Sequence, residues 1–353
     1  MIQSPATLRS SALPLGLGHG VSDGAAGWMI GVLANELPPQ QLGALVLLYN
    51  LLAFGGQLPA GLLVDRVGHA RGFALASLLL MSGALLLAGA GGWLAAIVLA
   101  GVASAVYHVA GGALALHLSG GRAAAVGLFA APGVVGLAAG GTLAALGVDA
   151  RPVLVLLLAL VTLLVARGAA GPRPATIVQA HTPQIDGHDL VMIVLLAVIA
   201  LRSLIWNTLQ LVAEGRHETL LALALAAALG KIAGGPLADR FGAQRYLRLS
   251  LVFAAPLLAL AGTQPWALLL GTALLQSATP AALVLVFHVL PRAPALASGL
   301  AFGLAIAVGA VPIFSAEIIP LLRTPPMVVV LALLAGLLAV WGTRRLMRDG
   351  VIG

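Results

Sequence analysis

Long apolar segments alternate with short polar ones along the whole chain. Most apolar segments are about 20 residues long, the length that a helix needs to cross a membrane. In lipid, every backbone polar group must be satisfied within its own segment, so this pattern predicts spanning helices. We predict twelve, at approximately 11–35, 42–64, 72–90, 93–117, 122–147, 151–167, 189–212, 217–237, 246–262, 265–290, 294–319 and 326–344.

A short polar motif occurs twice between these segments. The first copy, Gly61-Leu-Leu-Val-Asp65-Arg66-Val-Gly68 followed by Arg71, recurs as Gly235-Pro-Leu-Ala-Asp239-Arg240-Phe-Gly242 followed by Arg245. The copies are separated by about half the chain, and each lies between the second and third helices of a set of six. Such duplication is typical of transporters built from two halves with one binding site between them.

The motif residues suit a conformational switch. The glycines let helices approach closely and let the chain turn, and each Asp-Arg dipeptide offers a charge pair. We expect these charges to hold helix ends together in one state and to release them in another. The residues assigned this role are Gly61, Asp65, Arg66, Gly68 and Arg71, and Gly235, Asp239, Arg240, Gly242 and Arg245.

Composition favours a membrane protein. Hydrophobic residues make up 61% of the chain and charged residues 8%, too few charges to cover the surface of a soluble domain. The chain has no cysteine, which excludes disulfides and thiolate metal sites. No cofactor or metal is expected. No cleavage site follows the first apolar segment, so we interpret it as a span and not as a signal peptide.

The net charge of +7 is explained by membrane topology and not by nucleic-acid binding. With the N-terminus inside the cell, most arginines fall in cytoplasmic segments, and only Arg151, Arg216 and Arg323 fall outside. We therefore expect both termini in the cytoplasm and the protein in a bacterial-type plasma (inner) membrane. The longest connection, 168–188, is expected to be a cytoplasmic linker between an N-terminal half, 1–167, and a C-terminal half, 189–353.

Two six-helix halves that each carry this motif resemble the major facilitator superfamily. Within it, the chain is most similar to the fosmidomycin-resistance group of efflux proteins. The similar segments are His19-Gly-Val-Ser-Asp23, Tyr107-His108, Ser119-Gly120-Gly121-Arg122, Arg202-Ser203, Leu290-Pro291 and Ser298-Gly299-Leu-Ala-Phe-Gly303. The resemblance implies an all-α integral membrane fold of twelve spans. Departures such as Val109-Ala110, where the group carries Pro-Glu, mean that it does not imply the substrate.

Charges inside a span are costly, so each is a candidate for function. Asp23 is the one carboxylate well inside any predicted span, and His19 lies one helical turn earlier on the same face. The pair could load and release a proton as the site changes sides. The alternative is a structural hydrogen bond from Asp23 to Ser22 or to the backbone of a kinked helix.

Other polar side chains fall inside the spans as well. Arg202 in the seventh helix cannot lose its proton, so we expect Asp23 or an anionic substrate as its partner. The alternative is an ion pair that only locks a gate.

Tyr107 and His108 could line a cavity, or the histidine could bond a backbone carbonyl. Lys231 is expected at the interface near Asp239. Further side chains that could line a cavity, or only make packing hydrogen bonds, are Asn50 and Gln57, which are expected to share a face, and Trp206, Asn207, Gln210 and Gln276.

The sequence thus predicts a secondary transporter, with proton-coupled export (efflux by antiport) of a small amphipathic organic compound as the first interpretation. Few polar groups lie in the spans, which suits such a compound better than a sugar. A uniporter or lipid-handling transporter of the same fold remains the alternative. An enzyme is not expected, because the eight histidines are scattered along the chain. The expected partners are the substrate, protons and the lipid bilayer, and we expect a monomer that does not bind nucleic acid.

Overall fold

The computed structural model describes residues 5–168, 187–213, 215–315 and 317–348. These residues form helices joined by short turns and include no strand. The predicted linker 168–188 lies almost wholly outside the described residues. The all-α fold class predicted from the sequence is therefore confirmed.

Twelve helical spans follow the order predicted from the apolar segments. They are α1 (Pro5–Glu36), α2 (Pro39–Val67), α3 (Ala70–Gly89), α4 (Trp93–Ser119), α5 (Ala123–Ala145), α6 (Arg151–Gly168), α7 (Gly187–Val212), α8 (His217–Phe241), α9 (Ala243–Ala259), α10 (Pro265–Val289), α11 (Pro294–Ala310) and α12 (Pro325–Arg348). Within the described residues, nine helices are long and apolar enough to cross a membrane. The remaining three are α1, which carries polar side chains, and the shorter α9 and α11.

Motif glycines end two of these spans. Gly68 follows α2 with a φ of 69°, and Gly242 follows α8 with a φ of 86°. Residues with a side chain avoid this region of φ, whereas glycine enters it without steric cost. The two motif glycines therefore allow tight turns into α3 and α9.

Spans joined by short described turns alternate in direction. Hydrogen bonds from the end of α2 to the start of α11 and from the end of α8 to the start of α5 align the two sets of six spans. The same end of the bundle therefore carries both motif turns, the α4–α5 and α10–α11 turns, the start of α1 and the end of α12. We call it the motif end.

Small residues let the helix backbones pack very closely. Gly136 of α5 faces the carbonyl of Gly20 in α1, and Gly230 of α8 faces the carbonyl of Ala273 in α10. A Cβ atom at either glycine would overlap the facing carbonyl. Helix association in a membrane relies on such close van der Waals contact, because lipid is as apolar as the side chains.

Two spans depart from a regular α-helix. The segments Leu51–Gly55 in α2 and Gly299–Leu304 in α11 are π-helical, and Gly303 lies against the Phe54 carbonyl. The α11 span continues as a 3₁₀ turn over Val311–Phe314. The continuous eleventh helix predicted over 294–319 is therefore wrong in its last part. Hydropathy reports apolar length and does not distinguish these helix types.

Candidate functional site

A buried cluster of His19, Asp23 and His108 lies within the first half. The Nε2 atom of His19 is 3.1 Å from Asp23 Oδ2 and 2.9 Å from His108 Nε2. The His108 Nε2 atom is 3.9 Å from the same carboxylate oxygen. The three side chains are 6%, 13% and 12% exposed, so solvent reaches them only slightly. We call these residues the His–Asp cluster; it joins the predicted pair on α1 to a second histidine on α4.

Local packing explains why these side chains meet. His19 and Asp23 share one face of α1 because they are one turn apart. Gly133 of α5 leaves the necessary space, since a Cβ atom there would overlap His19 Nε2 and Asp23 Oδ2. Tyr107 is buried, and its hydroxyl donates a 2.8 Å hydrogen bond to the Leu15 carbonyl of α1. Tyr107 thus fixes α4 against α1.

The backbone determines how the two imidazoles are protonated. The Nδ1 atom of His19 lies 2.9 Å from the Phe129 carbonyl, and that of His108 lies 2.8 Å from the Ser104 carbonyl. A carbonyl oxygen can only accept, so each Nδ1 carries a hydrogen. In two neutral rings, both Nε2 atoms would then present lone pairs to each other at 2.9 Å. One additional proton between them removes this repulsion and supplies a positive charge beside Asp23.

A metal ion fits this space less well than a proton. The Nε2 atoms and the carboxylate oxygen lie within 4.8 Å of one another, the one such trio among the described residues. Two imidazole nitrogens bound at about 2.1 Å to a tetrahedral zinc ion would be roughly 3.4 Å apart. The Nε2–Nε2 distance of 2.9 Å lies instead in the hydrogen-bond range. This distance suits a hydrogen bond between the rings better than a shared metal ion.

Arg202 does not have the partner expected from the sequence. Its side chain is buried, and its Nη1 atom donates a 2.7 Å hydrogen bond to Gln276 Oε1 of α10. Its Nε atom is buried without a hydrogen-bond partner. Asp23 interacts with the histidines of its own half, so the expected Arg202–Asp23 pair is replaced by a bond to a neutral amide within the second half.

The structure does not bring Lys231 to Asp239, which is where the sequence predicts it to lie. It is the only lysine in the chain, and it lies about two helical turns before that aspartate. Its Nζ atom donates a 3.3 Å hydrogen bond to the Ala130 carbonyl of α5, across the two halves. Lys231 is close enough to both Asp23 and Arg202 to interact with their charges. The signal available in the sequence was a lone lysine inside an apolar segment.

Two further residues of the site were not singled out from the sequence. Tyr49 of α2 is buried and lies close enough to Asp23 and to the Ser104 side chain to interact with both. The Ser104 hydroxyl is also 3.3 Å from His108 Nδ1. Ser104 precedes His108 by one helical turn, which was the available signal for it. No comparable pattern distinguishes Tyr49.

The predicted cavity residues divide into accessible and buried groups. Gln57 is fully buried, donates to the Ala53 carbonyl, and packs against Gly303 of α11. It does not share a face with Asn50, because the π-helical segment between them changes the register. Gln276 is also buried. Asn50, Trp206, Asn207 and Gln210 are partly exposed.

Both motif aspartates bond backbone amides of the opposite half. Asp65 accepts from the Leu296 amide at 2.7 Å and from the neighbouring residue 295 at 3.0 Å, at the start of α11. Asp239 accepts from the Ala123 amide at 2.7 Å and from residue 124 at 3.0 Å, at the start of α5. These amides have no helical acceptor and lie at the positive end of the helix dipole. The sequence suggests that each aspartate pairs with the adjacent arginine. In the structure, each aspartate instead caps a helix of the opposite half.

The first glycine of each motif packs against the same helix start that the aspartate of that motif caps. A Cβ atom at Gly61 would overlap the Ala295 carbonyl, and one at Gly235 would overlap the Ala123 carbonyl. Arg66, Arg240 and Arg245 are exposed, and Arg71 is partly exposed. The two copies of the motif therefore join the halves at the motif end through equivalent contacts.

No protein-family model and no curated protein matches the sequence. Solved structures do match it along almost its whole length. The human organic anion transporter MFSD10 (TETRAN) is similar with a TM-score of 0.72 and 16% identity, over 96% of this chain and 100% of that one. The fucose:proton symporter FucP of E. coli is similar with a TM-score of 0.68 and 15% identity, over 96% and 98%. A FucP structure in the outward conformation gives a TM-score of 0.64 and 13% identity, over 96% and 99%.

This chain has the major facilitator fold. The likeness to the fosmidomycin-resistance group stays a prediction, since these structures do not represent it. In the major facilitator fold, α2 and α8 are equivalent spans of the two halves, as are α5 and α11. Asp65 links α2 to α11 and Asp239 links α8 to α5, so the duplicated motif produces a duplicated contact.

Proposed function

We propose that this protein is a secondary active transporter that couples the movement of protons to that of a small amphipathic organic compound by alternating access. The observation that carries the proposal is the need for one proton between His19, His108 and Asp23. Lys231 and the buried Tyr49 and Tyr107 are the other titratable groups nearby. With this proton the His–Asp cluster is neutral, and without it the cluster carries one negative charge.

The change in charge provides a physical link between the proton and the two halves. Lys231 belongs to the second half and interacts with Asp23 of the first. Its attraction to the cluster is strong when the cluster has lost its proton and weak when the proton is present, because the medium has a low dielectric constant. Protonation therefore changes the energy of the contact between the halves, as coupling requires.

The motif aspartates act as the conformational switch in this proposal. Their hydrogen bonds hold the motif end closed, and breaking them would let 1–167 and 189–353 reorient around the linker 168–188. We further propose that the motif end faces the cytoplasm, that the protein works as a monomer, and that it resides in a bacterial-type plasma (inner) membrane. The excess of arginine at this end supports the orientation.

Two directions of coupling have support. The resemblance to the fosmidomycin-resistance group implies efflux by antiport with protons. The structural similarity to a proton symporter favours movement of substrate and proton in the same direction.

The experiment is uptake into proteoliposomes with an imposed pH gradient of either sign, measured for a panel of amphipathic compounds. Accumulation driven by an acidic interior indicates antiport, and accumulation driven by an alkaline interior indicates symport. Protein-free vesicles correct for weak acids and bases that cross the bilayer unaided. Transport that never exceeds equilibration under either gradient would contradict proton coupling and favour the uniport alternative.

A further inference from the structure

Near the middle of its described helices, this protein carries more positive than negative charge. Arg202 and Lys231 lie near the middle of α7 and α8, and Asp23 is the one carboxylate near the middle of a described helix. The His–Asp cluster already neutralises Asp23 when it holds its proton. Two cationic groups then remain without an opposite charge.

Among the described residues, no carboxylate forms a hydrogen bond or an ion pair with either cation. The Arg202 guanidinium bonds a neutral amide, and its Nε atom is buried without a partner. The Lys231 ammonium has three hydrogens to donate, and its hydrogen bond to the Ala130 carbonyl is a long one of 3.3 Å. Removing charged groups from water is unfavourable unless they are paired, so the site has an unmet requirement for negative charge.

The two cations lie against the same stretch of α10. Gly230 and Gly234, which flank Lys231 on α8, pack on Ala273 and Ser277 of α10, and Arg202 of α7 bonds Gln276 between them. An anionic group bound beside this stretch of α10 would be attracted by both cations. A guanidinium fork matches a planar carboxylate, and an ammonium adds a point charge.

A simpler interpretation makes Lys231 only a counterion for Asp23. It leaves Arg202 unexplained, because that guanidinium would still lack an anion. The accessible side chains next to Arg202 are also suited to a ligand: Trp206 lies one turn further along α7 and is partly exposed, so it could contact an apolar body.

We propose that Lys231 and Arg202 form an anion-binding site, and that the substrate is an amphipathic organic anion such as a monocarboxylate. This inference rests on the proposed transport function and specifies its substrate class. It also decides the direction of coupling. The anion binds best when the proton neutralises the His–Asp cluster, so anion and proton are loaded together and move in the same direction.

The single lysine provides a direct test. An amine-reactive ester, applied to purified full-length protein with a lysine-free tag, can modify only Lys231 and the N-terminal amine, and peptide mass spectrometry separates the two. The probes are aryl-alkyl carboxylates of graded length, each matched by its primary amide and by its amine, such as 4-phenylbutyrate, 4-phenylbutyramide and 4-phenylbutylamine. We expect at least one carboxylate to slow modification of Lys231 fivefold or more, with no effect of its amide or amine. Equal protection by an amide or amine, or no protection by any carboxylate, overturns the inference.

Charge-removing variants provide the second test. Lys231→Gln and Arg202→Gln keep hydrogen-bonding groups, and each should weaken carboxylate binding tenfold or more in an equilibrium assay. Arg151→Gln, at the first residue of α6, where Arg151 pairs with Asp149, is the matched control and should leave binding unchanged. If Arg202→Gln fails to fold, Lys231→Gln alone provides the comparison, because the side chain of Lys231 is partly exposed. Unchanged carboxylate affinity in folded Lys231→Gln contradicts the proposal.

The results separate this inference from the proposed function. If a pH gradient drives transport of neutral or cationic compounds only, proton-coupled transport stands and the anion site is wrong. If carboxylates protect Lys231 but no gradient drives their accumulation, the anion site stands and proton coupling is wrong.

Discussion

At the scale of single residues, surroundings decide what a carboxylate can do. Asp149 lies in the exposed turn between α5 and α6, where the hydrogen bond from Arg151 holds its pKa below the ordinary value. It therefore stays ionised through the physiological pH range. Asp23 instead shares a buried site with two imidazoles that require one more proton. In the proposed function, only the second arrangement exchanges a proton during the transport cycle.

Asp23→Asn tests this difference, because it keeps the size of the side chain and removes its titration. We expect accumulation driven by a pH gradient to be lost, with exchange of labelled for unlabelled substrate retained, since exchange does not require an empty carrier to return. Both are measured in proteoliposomes, with Asp149→Asn as the control that behaves like the wild type. Uphill accumulation by Asp23→Asn equal to that of the wild type would remove Asp23 from the coupling mechanism.

At the scale of helices, the starts of α5 and α11 hold the halves together. Each start offers two amides without helical acceptors, and a motif aspartate from the opposite half accepts from both. The contact depends on the close approach of Gly61 and Gly235 to the same helix starts. Capping and close packing are thus combined at one place.

Asp65→Asn and Asp239→Asn should each weaken this contact by about 1 kcal/mol, because an amide has one accepting oxygen and no charge. A change of that size shifts the balance between states roughly fivefold away from closure at the motif end. The chain has no cysteine, so spin labels at Val148→Cys and Ile318→Cys, at the opposite end, can report the distance between halves. Glu218→Gln, in the first turn of α8, is the control. An unaltered distance distribution in both variants would remove the switch role.

Close packing of α1 on α5 gives a second prediction at this scale. Gly136→Ala should lower the free energy of unfolding of the detergent-solubilised protein by about 1–3 kcal/mol, because its Cβ atom overlaps the Gly20 carbonyl. The loss should be measurable as a lower melting temperature. Gly141→Ala on the same helix is a matched control, since its Cβ atom would make an ordinary contact of 3.8 Å with Gly27. Equal melting temperatures for the two variants would show that the helices can separate without cost.

At the scale of the whole molecule, the two halves share their architecture and differ in their charges. The repeated motif gives each half an equivalent contact at the motif end. The titratable His–Asp cluster belongs to the first half, whereas Arg202 and Lys231 belong to the second. In the proposed function, a proton bound by one half changes the electrostatic attraction that the charges of the other half experience.

The distribution of arginines predicts the orientation of the whole protein in the membrane. Single cysteines introduced near Gln184 in the linker and after the end of α12 should be protected from an impermeant thiol reagent in intact cells. A cysteine introduced near residue 214, between α7 and α8, should react. Labelling of the linker position from outside would overturn the twelve-span orientation.

The sequence by itself determined the features that depend on neighbouring residues. Hydropathy located the twelve spans, repetition of the motif located the equivalent turns, and the one-turn spacing placed His19 beside Asp23. Each of these depends only on helix geometry and on the length needed to cross a membrane.

Only the tertiary structure decided which helices bring further groups to that pair. His108 joins it because α4 packs on α1, and Lys231 reaches the Ala130 carbonyl because α8 approaches α5 closely. Arg202 bonds Gln276 instead of Asp23, and Asp65 caps a helix more than two hundred residues away in the chain. These partners depend on how each helix is rotated and how closely it packs. Such rotation is set by glycine contacts and π-helical segments between distant parts of the chain, which a local hydrophobic pattern does not encode.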